Sequence, residues 1–188
     1  MLVQQAWLYV PVTNELLFAP AKGGSQSLYT YVGGLLGYHD IPQPRLKWLR
    51  ENATGQFEIL LPADAAEHPC NNRRQYVADP IRRFESLWRG KCRDKEGGVP
   101  TALQGVSPDA LLDYIIANDG ANVHWQHQHV HQIPGSSLSP IESLGTKVHT
   151  SSGAIPEYDE RKLREFYARD FELYTEVRTR FRSQDFAR

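Results

Sequence analysis

The stretch ELLFAPAKGGSQSLY, residues 15–29, constrains this chain most. Leu16, Leu17 and Phe18 form a short apolar run closed by Pro20, the pattern of a buried strand. Lys22, Gly23, Gly24, Ser25, Gln26 and Ser27 follow, and then Leu28, Tyr31, Val32, Leu35 and Leu36 recur at helical spacing. A strand, a glycine-bearing turn with a lysine, and a helix together make a cradle for an anion. Glycines let backbone N–H groups approach closely, the helix N-terminus adds donors and about half a positive charge, and a lysine can neutralise a charged oxygen. The order differs from the triphosphate-binding G-x-x-x-x-G-K-[ST] loop, because Lys22 precedes the two glycines. Short Gly/Ser turns also serve as plain connections, so this stretch alone does not define an activity.

The chain has 188 residues, a length expected to form one domain, 1–188, with a real core. Its formal net charge of −1 gives no global field pointing to nucleic acid or to a membrane surface. No run of apolar residues reaches membrane-spanning length. The opening MLVQQAWLYVPV lacks the basic start and long apolar centre of a signal peptide. Cys70 and Cys92 are the only cysteines, too few for a disulfide framework, and a reducing cytoplasm is the default expectation.

Along the chain, Trp7–Val12 and Glu15–Ala19 flank the turn Thr13-Asn14 and read as a hairpin. The first helix closes at Gly33-Gly34 or at Gly37. Tyr38–Ile41 suggests a short strand, Arg45–Glu51 one or two helical turns, Phe57–Leu61 a strand, Ala63–Asn72 a loop or short helix, and Gln75–Ala78 a further strand. Asp79-Pro80 and Ser107-Pro108-Asp109 are strong helix starts, each with a capping side chain before a proline. Residues 121–156 are rich in Gly, Ser, Pro and His and read as irregular with one strand. From Asp159 onward, Leu163, Phe166, Tyr167, Tyr174, Val177 and Phe181 mark one long amphipathic helix. Strands interleaved with helices predict a three-layer α/β domain with a mainly parallel central sheet.

A second constellation lies between Arg73 and Lys95, where eight basic residues face three acids. It spans a strand-to-helix junction, the place where open α/β sheets bind anions. Two such junctions, one bearing Lys and Gly and one bearing Arg and Ser, could hold a ligand with two separated anionic groups. Here the residues resemble a known family. Lys22-Gly-Gly-Ser-Gln-Ser27-Leu28 resembles the 5′-phosphosulfate loop of sulfotransferases, PK-T-G-[GS]-T-S-L and its variants. The run from Val77 to Arg89, VADPIRRFESLWR, resembles their 3′-phosphate motif V-R-D-P-x-x-R-x-x-S-x-Y-R. Gly90-Lys91-Cys92, His124-Trp125-Gln126-His127-Gln128 (H-W-x-P-Q) and the segment EFYARDFELY, residues 165–174, are similar to the carbohydrate branch of that family. The four segments occur in the family's order and cover most of the chain.

The resemblance implies a three-layer P-loop-like sulfotransferase fold. It also implies transfer of a sulfuryl group from 3′-phosphoadenosine 5′-phosphosulfate (PAPS, leaving PAP) to an acceptor hydroxyl or amine, the branch's acceptors being carbohydrates. Its partners would be that anionic nucleotide and the acceptor, with no nucleic acid and no membrane, and the chemistry needs no metal. Lys22 and the N–H groups of the loop, with Gly23, Gly24, Ser25, Gln26 and Ser27, would bind and neutralise the 5′-phosphosulfate. Ser86 with Arg83 or Arg82 would hold the 3′-phosphate. The chain departs from the pattern at four places: Ala78 stands where the family has an arginine, Gln26 where it has a threonine, His127 where it has a proline, and Lys22 follows Pro20 by two positions where the family has one. Arg73, Arg74 or Arg82 would then have to replace the missing arginine. The alternatives are a divergent non-catalytic binding module and a small nucleotide-dependent phosphotransferase.

An acceptor hydroxyl usually needs a general base. His39, after the first helix, and His68, before the strand of the 3′-phosphate motif, are the leading candidates, with His124 third. His127, His129 and His131 alternate; on a strand they would share one face, a spacing that can bind zinc. With no carboxylate or cysteine nearby in sequence, no metal ligand is assigned.

Overall fold

Strand β1 (Trp7–Val10) and strand β2 (Glu15–Phe18) form the expected antiparallel hairpin, with Leu8 opposite Leu17 and Val10 opposite Glu15. The computed structural model describes residues 6–42, 45–95, 99–119, 122, 124–145 and 153–185. After β2 the chain turns through Lys22 and Gly24 into α1 (Ser25–Leu35). Gly33 and Gly34 lie inside this helix, and the left-handed residue that follows its end is Gly37, at φ 89°. Gly33 has its own reason to lack a side chain, because a Cβ there would sit 2.1 Å from Ile41 Cδ1.

Residues 38–41 are not a strand; Tyr38 instead packs edge-on against Trp48 and its hydroxyl donates to the Asn52 carbonyl. Both partners belong to α2 (Leu46–Asn52). Then come β3 (Glu58–Leu60), α3 (Pro62–Glu67) and β4 (Asn72–Val77). Helix α4 (Pro80–Leu87) runs directly into a π-helical turn, Trp88–Arg93. Helix α5 (Pro108–Ala117) starts at Ser107, whose hydroxyl accepts from the Ala110 N–H. Strand β5 (Ser137–Pro140) is followed by α6 (Glu160–Phe166) and α7 (Ala168–Asp185). The single long C-terminal helix read from the sequence is therefore two helices. They break at Tyr167, whose buried hydroxyl reaches across to the Trp125 carbonyl.

The five strands are ordered β3-β1-β2-β4-β5. The β2–β4 and β4–β5 ladders are parallel, whereas β1 pairs antiparallel with both β2 and β3. The sheet is thus mixed, not mainly parallel, because the opening hairpin places β1 inside the sheet and lets β3 add to its far side. Helices cover both faces. Leu8, Val10, Leu17 and Tyr76 pack with Leu28 and Val32 of α1 and Leu49 of α2. On the opposite face Trp7, Leu16 and Phe18 meet Ala65 of α3, and Val77 meets Tyr174 and Val177 of α7. This alternation along each strand is the period-two pattern of a sheet buried on both sides. A separate cluster joins α4, the π-turn, α5 and α6 through Phe84, Leu87, Leu112, Ile115, Trp125 and Leu163. No helix among the described residues is long and apolar enough to cross a membrane, and Cys70 and Cys92 are free thiols.

Candidate anion-binding site

The carboxyl ends of the three parallel strands β2, β4 and β5 lie along one edge. The Lys22 turn leaves the first of them. Lys22 holds φ 58°, sparsely populated for a residue with a side chain, and Gly24 holds φ 102°. The Gly23 N–H donates to the Pro20 carbonyl at 2.9 Å. The two glycines are required by the protein's own packing. A Cβ on Gly23 would lie 2.6 Å from Pro20 Cγ and 3.4 Å from the Ala78 Cβ, and one on Gly24 would lie 2.2 Å from Ile141 Cγ1. The turn is thereby pressed onto the residues that follow β4 and β5. Helix α1 begins at Ser25 with no side chain capping it, so its first N–H groups face outward beyond the helix end. Ser25 is half-buried and Gln26 exposed, while Ser27 is buried.

The second junction sits on the adjacent parallel strand. Asp79 caps α4 by accepting from the Ile81 N–H at 2.9 Å, with Pro80 at the first helical position. The two arginines that follow differ sharply. Arg82 is exposed and has no hydrogen bond or ion pair among the described residues. Arg83 is 3% exposed; its guanidinium donates to the Ala21 carbonyl at 3.1 Å and to the His124 carbonyl at 3.4 Å. Burial lowers its pKa, opposed by Tyr167 and Asp170. Arg83 is therefore a strut that ties the Lys22 turn to the segment beginning at His124. The Ser86 hydroxyl, half-buried on the same helix, has no partner among the described residues.

The π-turn brings further basic groups to the same end. Its wide closure is marked by the Asp94 N–H donating to the Arg89 carbonyl at 2.8 Å, five residues back. Arg89 donates to the Gly153 carbonyl at 3.2 Å and to Glu85. Arg93 Nε lies 2.6 Å from Asp94 Oδ1. The Arg93 guanidinium holds the Asp94 carboxyl below the usual carboxylate range, and Lys22 adds to the same effect. Lys22 and Arg93 thus act on one carboxylate. Of the KVHTSSG run, only Gly153 falls within the described residues.

The basic stretch from Arg73 to Lys95 does not act as one patch. Arg73 and Arg74 stand at the amino end of β4, beside Leu16 and Leu17. Arg73 donates to the Ala65 and His68 carbonyls, and Arg74 faces Glu15 and the Tyr76 hydroxyl. Neither can replace an arginine at Ala78, which follows the other end of the strand. The two candidate bases are also remote from Lys22. His39 is exposed beyond the C-terminus of α1, a helix of 11 residues and about 16 Å. His68 packs at a tilt against Tyr9 (ring centroids 4.2 Å), a residue paired with Leu16 near the start of β2. The acceptor's proton is therefore assigned to neither.

Two residues to which sequence reading gave no role hold this edge together. Gln128 is fully buried. Its side-chain amide accepts from the Ala78 N–H and donates to the Ala78 carbonyl, both at 2.8 Å, and its own carbonyl accepts from Gln75. Asp170 of α7, equally buried, accepts the N–H groups of Gln128 and His129. The signal for Asp170 was a lone acid among the apolar positions of the C-terminal segment. Around it, His131 is buried and packed at a tilt against Phe18, and burial pushes its pKa down to about 4. His127 is also lowered, first by burial. Compared with known proteins, the chain matches no family model, no curated protein and no solved structure.

Proposed function

We propose that this protein is a sulfotransferase that moves a sulfuryl group from PAPS to an acceptor hydroxyl or amine, with carbohydrates as the acceptor class suggested by its sequence likeness. The observation that carries the reading is the side-by-side placement of the Lys22 turn and the start of α4, at the carboxyl ends of adjacent parallel strands. A nucleotide with one anionic group at each end needs two such corners on one edge.

In this reading the α1 N–H groups and Ser25 bind the 5′-phosphosulfate. The bond from sulfur to the bridging phosphate oxygen breaks as the bond to the acceptor oxygen or nitrogen forms. The leaving phosphate keeps the electron pair, and Lys22 stabilises that growing charge. The acceptor gives up its proton to water. Arg82 and Ser86 hold the 3′-phosphate, while Arg83 positions the turn without touching the ligand. One observation favours a second reading, a binding module without transfer: Ala78 brings no guanidinium, and its backbone groups are already engaged by Gln128.

The test is thermal unfolding with PAP, with ATP and with neither, followed by transfer assays with PAPS. At about 100-fold saturation a ligand adds roughly 2.7 kcal/mol, or about 5–10 °C for a domain of this size. A shift with PAP and not with ATP, followed by turnover with PAPS, supports the sulfotransferase; no shift with PAP supports the binding module that lost the nucleotide with the missing arginine. Equal shifts with PAP and ATP, or a shift with PAP and no turnover on any acceptor, would discard the sulfotransferase.

A further inference from the structure

The histidines of the segment 124–131 are not used by the transfer reading. They do not lie on a strand. A 3₁₀ turn over His129–His131 sends His131 toward Phe18, while His127 and His129 stay together with ring centroids 5.1 Å apart. The carboxylate missing from their sequence neighbourhood arrives from α7, 41 positions beyond His129. Asp170 Oδ1 lies 2.9 Å from His129 Nδ1, and Asp170 Oδ2 lies 4.0 Å from His127 Nδ1.

We propose that His127, His129 and Asp170 form a binding site for a divalent transition-metal ion of the zinc class. One ligand atom from each lies within 4.8 Å of the others. Around zinc, ligand atoms at about 2.0–2.2 Å stand about 3.3–3.5 Å apart at tetrahedral angles. The His129–Asp170 separation is about 0.4 Å shorter than that span and the His127–Asp170 separation about half an ångström longer, so small side-chain rotations bring both to it. Two imidazoles and one carboxylate, with a further position open to solvent, is a donor set that zinc-class ions favour over magnesium or calcium.

A second observation points the same way. His127 Nδ1 is buried and has no hydrogen-bond partner among the described residues. Its other nitrogen, Nε2, faces Asp119 Oδ1 at 3.5 Å. A carboxylate on that side of the ring favours the proton on Nε2 and leaves the Nδ1 lone pair for an ion, as outer-shell partners of metal-ligating histidines do. The side chains of His127 and His129 are 17% and 25% exposed, which leaves an entry path. The ion would join the 124–131 segment to α7 on either side of Gln128, and so brace the side chain that holds Ala78.

The experiment uses the full chain, free of any histidine tag and stripped with chelator. Zn2+ titration by calorimetry should show one equivalent bound at micromolar or lower concentration, with a higher melting temperature. Co2+ at the same site should give visible d–d absorption. His127→Ala and His129→Ala should each abolish the binding, while His131→Ala and His39→Ala retain it. Asp119→Asn, a surface change, should weaken Zn2+ about 10–100-fold without altering the metal-free melting temperature, which keeps the test decisive if an alanine variant unfolds. No saturable Zn2+ binding, or binding indifferent to His127, His129 and Asp119, would overturn the site and leave a His129–Asp170 pair bridged only by a proton.

Discussion

Replacing Gln128 with methionine keeps the side chain's length and removes its amide. The structure then leaves the Ala78 N–H and carbonyl without their 2.8 Å partners, at a residue only 6% exposed. Each buried backbone group stranded in this way costs about 1–3 kcal/mol, so the two together cost about 2–6 kcal/mol. The gain from burying a less polar side chain offsets part of this, and a net loss near 3 kcal/mol is expected. Against a domain stability of about 5–15 kcal/mol, that is a large fraction. Equilibrium urea unfolding of both proteins measures it directly, with the slope checking that the exposed surface is unchanged. Gln128→Glu should also destabilise, because its carboxylate can accept from the N–H but faces the carbonyl unfavourably. A loss under about 1 kcal/mol for Gln128→Met at equal slope would refute the idea that this amide secures the end of β4.

Four further outcomes follow from the site. Lys22→Ala should lower PAPS turnover by at least about 10²–10³-fold with an unchanged melting curve, as removal of a charge-stabilising group does; wild-type turnover would remove the proposed transfer centre. Arg82→Ala should weaken PAP binding by about 10–100-fold, the value of a charge-assisted hydrogen bond, without affecting stability, as seen by calorimetry and melting. Gly24→Ala should cost about 2–5 kcal/mol in unfolding experiments, combining left-handed strain with the clash on Ile141. Burial pushes the Cys92 thiol up to about 11 from an ordinary value of 9.0. At pH 8 a thiol reagent should therefore modify Cys70 quickly and Cys92 only after denaturation. Because the unfolded thiol ionises first, stability should fall as pH rises from about 9 toward 11.

The parts of this fold legible in the sequence were those governed by local chemistry. The hairpin, the Lys22 turn, and the starts of α4 and α5 are each set by a cap, a proline or a glycine within a few residues. Sheet order was not legible, because β3 pairs with β1 through a contact that no short-range pattern specifies. Nor was the sorting of the arginines. Arg82 and Arg83 are neighbours of the same type, yet a 100° step on α4 puts one in solvent and the other against the Ala21 carbonyl. His39 and His68 drew attention by residue type and by their places after α1 and before β4, yet the length of α1 carries His39 away from Lys22 and strand direction puts His68 at the opposite end of the sheet. The Gln128–Asp170 network joins segments 42 positions apart, so only the folded chain brings it together.

The π-turn at Trp88–Arg93 has a consequence for what kind of change this edge tolerates. A π-turn holds one residue more than the α-helix it interrupts. The directions of Arg89, Lys91 and Arg93 relative to Lys22 are therefore set by a count of residues rather than by any one side chain. Substitutions within the turn leave that count intact. A single deletion, at Gly90 for example, would restore ordinary helical winding and swing every later basic group by about 100°. The electrostatic surround of the Lys22 turn is encoded in chain length, and an insertion or deletion there would alter it more than the loss of any one charge.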